Sequence, residues 1–417
     1  MGVMTRDVRV NGRVYAWPKR PTVVVCLDGS APAYHLEAIK AGHMPFLAQA
    51  IRRGADLRAD CVIPSFTNPN NLSIVTGAPP AVHGISGNFF LDPDTGQEVM
   101  MNDPKFLRAE TIFAAFQKAG GKVVVITAKD KLRALLGKGL TPGPDAICFS
   151  AEKADKTTLA ANGIENALAF VGLPLPEVYS ADLSAFIFAA GVKLMRRDRP
   201  DLMYLSTTDY IQHKHAPGTA VANDFYAMID RHLAELDAAG AAIVLTADHG
   251  MNAKHDRSGR PDVIFLQDLL DEWSGAGPGD KKRARVILPI TDPYVVHHGA
   301  LGSYAVIHLP EELRAEAAER IRALPGIELV LSRAEACERF SLPADRTGDL
   351  VVVSATSKVL GSSAAKHDLS GLTEPLRSHG GISEREVPLI STRPIAAPPA
   401  RRLRNYDAFD LALNYVL

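Results

Sequence analysis

Cysteine, aromatic residues, a charge of one sign and long apolar runs are all in short supply in this chain of 417 residues. The four cysteines, Cys26, Cys61, Cys148 and Cys337, are widely spaced with no C-x-x-C pair, which argues against a disulfide scaffold or a thiolate zinc knuckle. Lys and Arg number 46 against 47 Asp and Glu, a formal net charge of -1, so the basic excess of a sequence-independent nucleic-acid binder is missing. No run reaches the ~18 apolar residues of a membrane-spanning helix. The first twenty residues are polar and broken by charges, without the apolar region of a signal peptide. The expectation is a cytoplasmic protein with no nucleic-acid or membrane partner. Apolar residues at 47% and charged residues at 22% are ordinary for a globular chain. Its length suits two to three domain-sized units, or one large α/β core carrying insertions. What the chain does have is 13 histidines, several clustered beside aspartates.

A continuous β-branched run at 22–27 has the pattern of a strand buried in a parallel sheet and ends at Asp28-Gly29. Helical periodicity follows over 38–53. Similar runs occur at 122–128, after a helix-like stretch 111–118, at 201–206, and at 241–246, after a long helix 223–238. Strands alternating with helices predict a doubly wound, mostly parallel sheet. After about Arg260 the pattern changes to short strands at 285–288, 303–309, 327–331 and 350–354, separated by helices 310–323 and 332–340. These predict a smaller α+β cap domain over 259–370, inserted into a catalytic core made of 1–258 and 371–417. The chain rejoins that core near Ser378-His379-Gly380-Gly381.

Open α/β sheets bind ligands beyond the carboxyl ends of their strands. There the chain places Asp28 after the first strand, Asp209 and His213 after the third, and Asp248-His249 after the fourth. Asp209 and His213 are four residues apart, so one helical turn puts both on the same face. With His379 these make six oxygen and imidazole ligands, enough for two zinc ions with three protein ligands each and an open position on each. Two such metals clamp the attacking and leaving oxygens of a displacement at phosphorus. Any one of these residues alone reads as a helix cap or loop residue; their convergence on three strand ends points to metal. His215 reads as a ligand, a ligand's support or a substrate contact, the last two favoured. A nucleophile is needed as well. Thr67 would lie at or near a helix N-terminus, where an anion is favoured, although an N-cap role fits it too. Ser65, Thr67 and Ser73 are not separable by chemistry alone.

The block Pro64-x-x-Thr67-x-Pro69-Asn70-x-x-Ser73-Ile74-Val75-Thr76-Gly77, continuing to His83-Gly84-Ile85-x-x-Asn88, resembles the nucleophile segment of nucleotide pyrophosphatase/phosphodiesterases, members of the alkaline phosphatase superfamily. Asp209-x-x-x-His213, Asp248-His249-Gly250-Met251 and Ser378-His379-Gly380 are similar to its remaining metal motifs, in the same order. The resemblance implies an alkaline phosphatase-like fold with two Zn2+ per chain. It implies Thr67 as nucleophile, touching a zinc held by Asp28, Asp248 and His249. A second zinc falls to Asp209, His213 and His379, and Asn88 hydrogen-bonds a phosphoryl oxygen.

The substrate is a separate question. A nucleotide needs an aromatic slot for its base, for which Phe66, Phe89, Phe90 and Tyr210 are the candidates. The second core strand instead ends in Lys129-Asp130-Lys131, two lysines suited to a second anionic group. The whole sequence resembles the phosphonoacetate hydrolases, the branch that cleaves a carbon–phosphorus bond. That resemblance implies a small phosphonate substrate whose carboxylate meets Lys129, Lys131 or His215, and a phosphothreonine intermediate. The cap's His297, His298 and Lys358 are further residues within conceivable reach. The rivals are a phosphodiesterase or nucleotide pyrophosphatase on the same metals, a cofactor-independent phosphomutase, and an inactive phosphonate-sensing module. Oligomeric state is left open, with a homodimer compatible.

Overall fold

The computed structural model describes residues 6–280, 283–291, 300–370, 372–398 and 400–417. His297 and His298, and residue 371 at the expected return to the core, lie outside the described residues. The four runs read as core strands are strands: β1 (Thr22–Cys26), and, after β2 (Ala55–Asp60), β3 (Val123–Thr127), then β4 (Ala146–Ser150), β5 (Leu202–Ser206) and β6 (Ala242–Thr246). Every residue of β1, β3, β5 and β6 is buried, as their unbroken apolar sequences require. Four strands of the later region follow: β7 (Arg285–Ile287), β8 (Tyr304–His308), β9 (Ile327–Ser332) and β10 (Leu350–Ser354). The chain then adds β11 (Glu386–Ser391) and β12 (Leu403–Arg404).

The central sheet has the order β12-β2-β11-β6-β1-β5-β3-β4. Only β11 runs against the rest: it pairs antiparallel with both β6 and β2, and every other pair is parallel. This is the doubly wound, mostly parallel α/β fold that the strand–helix alternation predicts. Apolar clusters cover both faces of the sheet, one built on Val23, Val25, Met203 and Leu205, the other on Val24, Val125, Tyr204 and Val244. The alternation of those residue numbers is the pleat itself.

The sheet is flanked by helices, among them α1 (Thr67–Thr76), α2 (Asp130–Leu136), α3 (Asp182–Asp198), α4 (Tyr210–Lys214) and α5 (Ala220–Ala238). The expected single helix over 38–53 is two, Pro32–Lys40 and Pro45–Arg53. Gly42, at φ +81, follows the first, and Pro45 opens the second, the usual stop and start.

Strands β7 to β10 form a separate antiparallel sheet of order β7-β8-β10-β9, with helices Arg314–Arg322 and Arg333–Phe340 beside it. Its apolar core takes in Ile63 and Phe66, from the turn that leads into α1. Among the described residues no helix is long and apolar enough to cross a membrane.

Candidate active site

The carboxyl ends of β1, β3 and β5 open on one cavity, and Asp248 and His249, after β6, are fully buried beside it rather than on its wall. Its lining includes Asp28, Thr67, Asn88, Lys129, Lys131, Asp209 and His379. Gly29 lets the ends of β1 and β5 converge there: it adopts φ +69, and a Cβ on it would stand 2.9 Å from Asp209 Cβ. Asp209 sits immediately before α4, and His213 Nε2 comes back to within 2.9 Å of Asp209 Oδ2, as the four-residue spacing predicts. His379 Nε2 is 3.7 Å from the same oxygen, and His249 Nε2 is 3.4 Å from Asp28 Oδ1. The rings of His249 and His379 stack with centroids 3.6 Å apart.

Each imidazole is oriented by the main chain. The Nδ1–H groups of His213, His249 and His379 donate to the carbonyls of Arg377, Gly250 and Ser65, at 2.8, 2.9 and 2.7 Å. That leaves Nε2 of each ring as the nitrogen turned towards the carboxylates, the arrangement of metal-binding histidines. Asp248 is wholly buried; its Oδ1 accepts the N–H of Gly29 and of His249, and its Oδ2 accepts Asn71 Nδ2 at 3.1 Å. Asn71 in turn accepts the hydroxyls of Tyr204 and Ser206.

Burial pushes the Asp28 carboxyl well above the usual range, and the charges of Asp209 and Asp248 act the same way. Burial raises Asp248 as well. On Asp209 burial works in that direction too, but the charge and hydrogen bond of His213 override it and hold the group well below the usual range. His379 is held far below an ordinary imidazole by burial and by the charges of His249 and His213. Two buried atoms, Asp28 Oδ1 and His249 Nε2, have no hydrogen-bond partner. Three crowded carboxylates, Asp28 and Asp248 driven towards their neutral form and Asp209 held ionised, converge with the imidazole Nε2 atoms on one small space that lacks positive charge to match them. Divalent cations fit it. Ligand atoms of Asp28, Asp248 and His249 lie within 4.8 Å of one another, as do those of Asp209, His249 and His379; His213 adjoins the second group through Asp209.

The three candidate hydroxyls separate here. Ser65 Oγ is buried, donating to Gly381 O and accepting Gly380 N–H. Ser73 Oγ is buried against His83 Nε2 at 2.9 Å. Thr67 is the first residue of α1, half-buried, on the cavity wall, and Phe66 rather than Thr67 occupies the N-cap position. Asn88 Oδ1 accepts the N–H of Asn68 at 3.0 Å, which leaves its Nδ2 donor for the cavity it lines.

Other expectations are redirected. His215 is not among the cavity-lining residues; its carbonyl accepts Tyr34 OH, and its ring is close enough to Glu374 to act on that carboxylate. Lys358 is paired with Asp262 at 2.5 Å and also lies outside the lining. Among the described residues that line the cavity none is Phe, Tyr or Trp, so the four candidate aromatics form no base slot there. Phe66 is buried edge-on against His379 and Tyr304, and Phe90 against Phe106. Phe89 packs on the apolar core of the second sheet, and Tyr210 on that of the central sheet. Asn102 and Ile290 line the cavity without any sequence signal. Ile290 belongs to the turn after β7, where Pro289 O accepts the N–H groups of Asn88 and Phe89 at 2.8 and 3.1 Å. Thr127 and Thr208, also on the wall, were recoverable from their strand-end positions.

Residues 22–381 match the family model of type I phosphodiesterase / nucleotide pyrophosphatase. The chain is similar to crystal structures of phosphonoacetate hydrolase from Sinorhizobium meliloti 1021, in complex with phosphonoformate (62% identity) and with phosphonoacetate (61%). In each case the TM-score is 0.94 and the match covers 99% of both chains. Curated relatives include an ectonucleotide pyrophosphatase/phosphodiesterase of Caenorhabditis elegans, 32% identical over 25% of this chain. Another is ectonucleotide pyrophosphatase/phosphodiesterase 1 of Saccharomyces cerevisiae, 26% identical over 60% of it. The matched regions span only 14% and 36% of those two relatives' own lengths.

Proposed function

The chain belongs to the type I phosphodiesterase / nucleotide pyrophosphatase family, and within it to the phosphonoacetate hydrolases, and we propose that it hydrolyses phosphonoacetate to acetate and phosphate through a threonine nucleophile and two zinc ions. One observation carries the reading. Thr67, Asn88, Asp28, Asp209 and His379 face the same space as Lys129 and Lys131, and among the described residues that line it there is no Phe, Tyr or Trp to receive a base.

Asp28, Asp248 and His249 would hold one cation, with Thr67 beside it, and Asp209, His213 and His379 the other. When bound, the cations supply positive charge that polarises the phosphonate and favours ionised oxygen nucleophiles. Thr67 Oγ attacks phosphorus, and the carbon–phosphorus bond breaks with its electron pair going to the α-carbon. Asn88 Nδ2 donates to a non-bridging phosphoryl oxygen. The difficult part is the leaving carbon. Lys129 and Lys131 hold the carboxylate, so charge arriving on the carbon delocalises into an enolate-like form already faced by ammonium groups. The proton that the Thr67 hydroxyl loses on attack is balanced by one taken up at that carbon, which gives acetate. Water then attacks the phosphothreonine, releasing phosphate and restoring the hydroxyl. As a contact for the same carboxylate, His215 has to turn in from beside Glu374.

We further assign residues 259–370 as a cap on a core of 1–258 and 371–417. The chain leaves the core after His249 and returns before His379, and Ile290 reaches the cavity wall from within that stretch. Phosphate release from phosphonoacetate and from methylphosphonate tests the substrate assignment. Phosphonoacetate should turn over and methylphosphonate should not; equal rates would remove the role given to the lysines. A nitrophenyl phosphodiester with the higher kcat/KM would transfer the assignment to the phosphodiesterases.

A further inference from the structure

Behind the acid–imidazole cluster lies a buried ion pair that the chemistry above does not use. Lys254 Nζ is 2.8 Å from Glu384 Oε1, and both side chains are fully shielded from solvent. Burying two charges is expensive even when they are paired, so such a pair is weak evidence of stability by itself. Its position supplies a different reason for it. Lys254 comes five residues after His249 and Glu384 five after His379, the two histidines whose rings stack.

The pair ties the two turns together. Glu384 Oε2 accepts the N–H of Gly381, two residues past His379, at 3.0 Å. The Glu384 carbonyl accepts the N–H of Gly250, next to His249, at 2.7 Å. Glu384 Oε1 accepts Asn252 Nδ2 at 2.7 Å as well as the lysine. Lys254 Nζ also donates to the carbonyl of Thr356, in the turn after β10, at 2.6 Å. Both carboxylate oxygens therefore face only donors. A glutamine has the same shape but presents an NH2 group to one of those donor sets, so it cannot satisfy both.

We infer that the Lys254–Glu384 pair is a positioning device for the metal centre: it sets the separation of the His249 and His379 turns and thereby the affinity for both cations. This rests on the reading that those histidines hold metal. Substitution of residues that orient metal ligands characteristically lowers metal affinity 10- to 100-fold.

The test uses the full chain as wild type, Glu384→Gln and the double variant Lys254→Met/Glu384→Gln, which removes both charges together. Each is stripped of metal and titrated with zinc against a competing chromophoric chelator. Thermal midpoints of the metal-free proteins and the KM for phosphonoacetate at saturating zinc are measured beside it. The expected result is zinc affinity at least ~10-fold weaker in Glu384→Gln, turnover rescued by excess zinc, and an unchanged KM. The double variant, free of an unpaired buried charge, should have a metal-free midpoint nearer to wild type than Glu384→Gln and still bind zinc weakly. Wild-type zinc affinity in either variant overturns the inference. So does failure of both variants to fold, since the pair would then support the fold rather than the ligands. A wild-type chain that binds no zinc would instead sink the metal reading beneath it.

Discussion

Replacing Lys129 by methionine keeps the aliphatic stem but removes a charge with two kinds of neighbour. Lys129 is half-buried on the cavity wall; burial acts to raise the pKa of Asp28 and of Asp209, and the charge of Lys129 acts to lower both. If its task is to hold the substrate carboxylate, the variant loses one charge-assisted hydrogen bond, about 1.5–3 kcal/mol. That corresponds to roughly a ten- to 150-fold drop in kcat/KM for phosphonoacetate. If its task is to temper the acidic cluster, every phosphorus substrate should suffer alike. The two tasks part company when phosphate release from phosphonoacetate is compared with nitrophenol release from a carboxylate-free nitrophenyl phosphonate. Both assays use the same preparations at saturating zinc, with thermal midpoints confirming an intact fold. The expectation is that selectivity for phosphonoacetate collapses by the stated factor while the carboxylate-free substrate changes little. An equal loss on both would refute the carboxylate contact and leave Lys129 as an electrostatic partner of the aspartates.

Two more substitutions bear on the nucleophile. Thr67→Ala should lower turnover by at least ~10²-fold while metal analysis finds the zinc content retained, and Thr67→Ser should keep measurable activity; an active alanine variant would return the question to the other hydroxyls. Ser73→Ala should turn over normally but melt earlier, because His83 Nε2 loses its buried partner at a cost of about 1–3 kcal/mol. Loss of turnover in a folded Ser73→Ala protein would contradict the assignment of Thr67.

The strands that deliver the acidic and imidazole groups could be read from sequence because each is an unbroken apolar run, buried on both faces. Strand β2, Ala55–Asp60, could not: its sequence, Ala-Asp-Leu-Arg-Ala-Asp, is mixed, and its burial is only partial. Nor does pattern alone reveal that β11 runs antiparallel, since direction depends on where the preceding loop returns. Five of the six ligand candidates share a signature, a carboxylate or imidazole just past a strand or in a Gly-flanked turn, and His213 is legible from its four-residue spacing to Asp209. The hydroxyls carry none. Ser65 and Ser73 are disqualified by partners in the 380–381 turn and at His83, contacts between segments that no local pattern encodes. The same is true of Asn88, whose backbone is anchored by a carbonyl two hundred residues on, at Pro289. His215 went the other way, its place in a histidine-rich stretch suggesting a contact that the α4 C-terminus directs elsewhere.

The three imidazoles owe their tautomer to carbonyl oxygens, at Ser65, Gly250 and Arg377. A carbonyl is present whatever side chain its residue bears. Point substitution at those three positions therefore leaves the acceptors in place so long as the backbone keeps its path, whereas a one-residue insertion or deletion nearby would remove one outright. The centre is buffered against drift in composition and brittle to change in chain length. An engineer seeking a new phosphonate specificity here has wide freedom to exchange side chains around the lysines, and almost none to lengthen the turns behind the histidines.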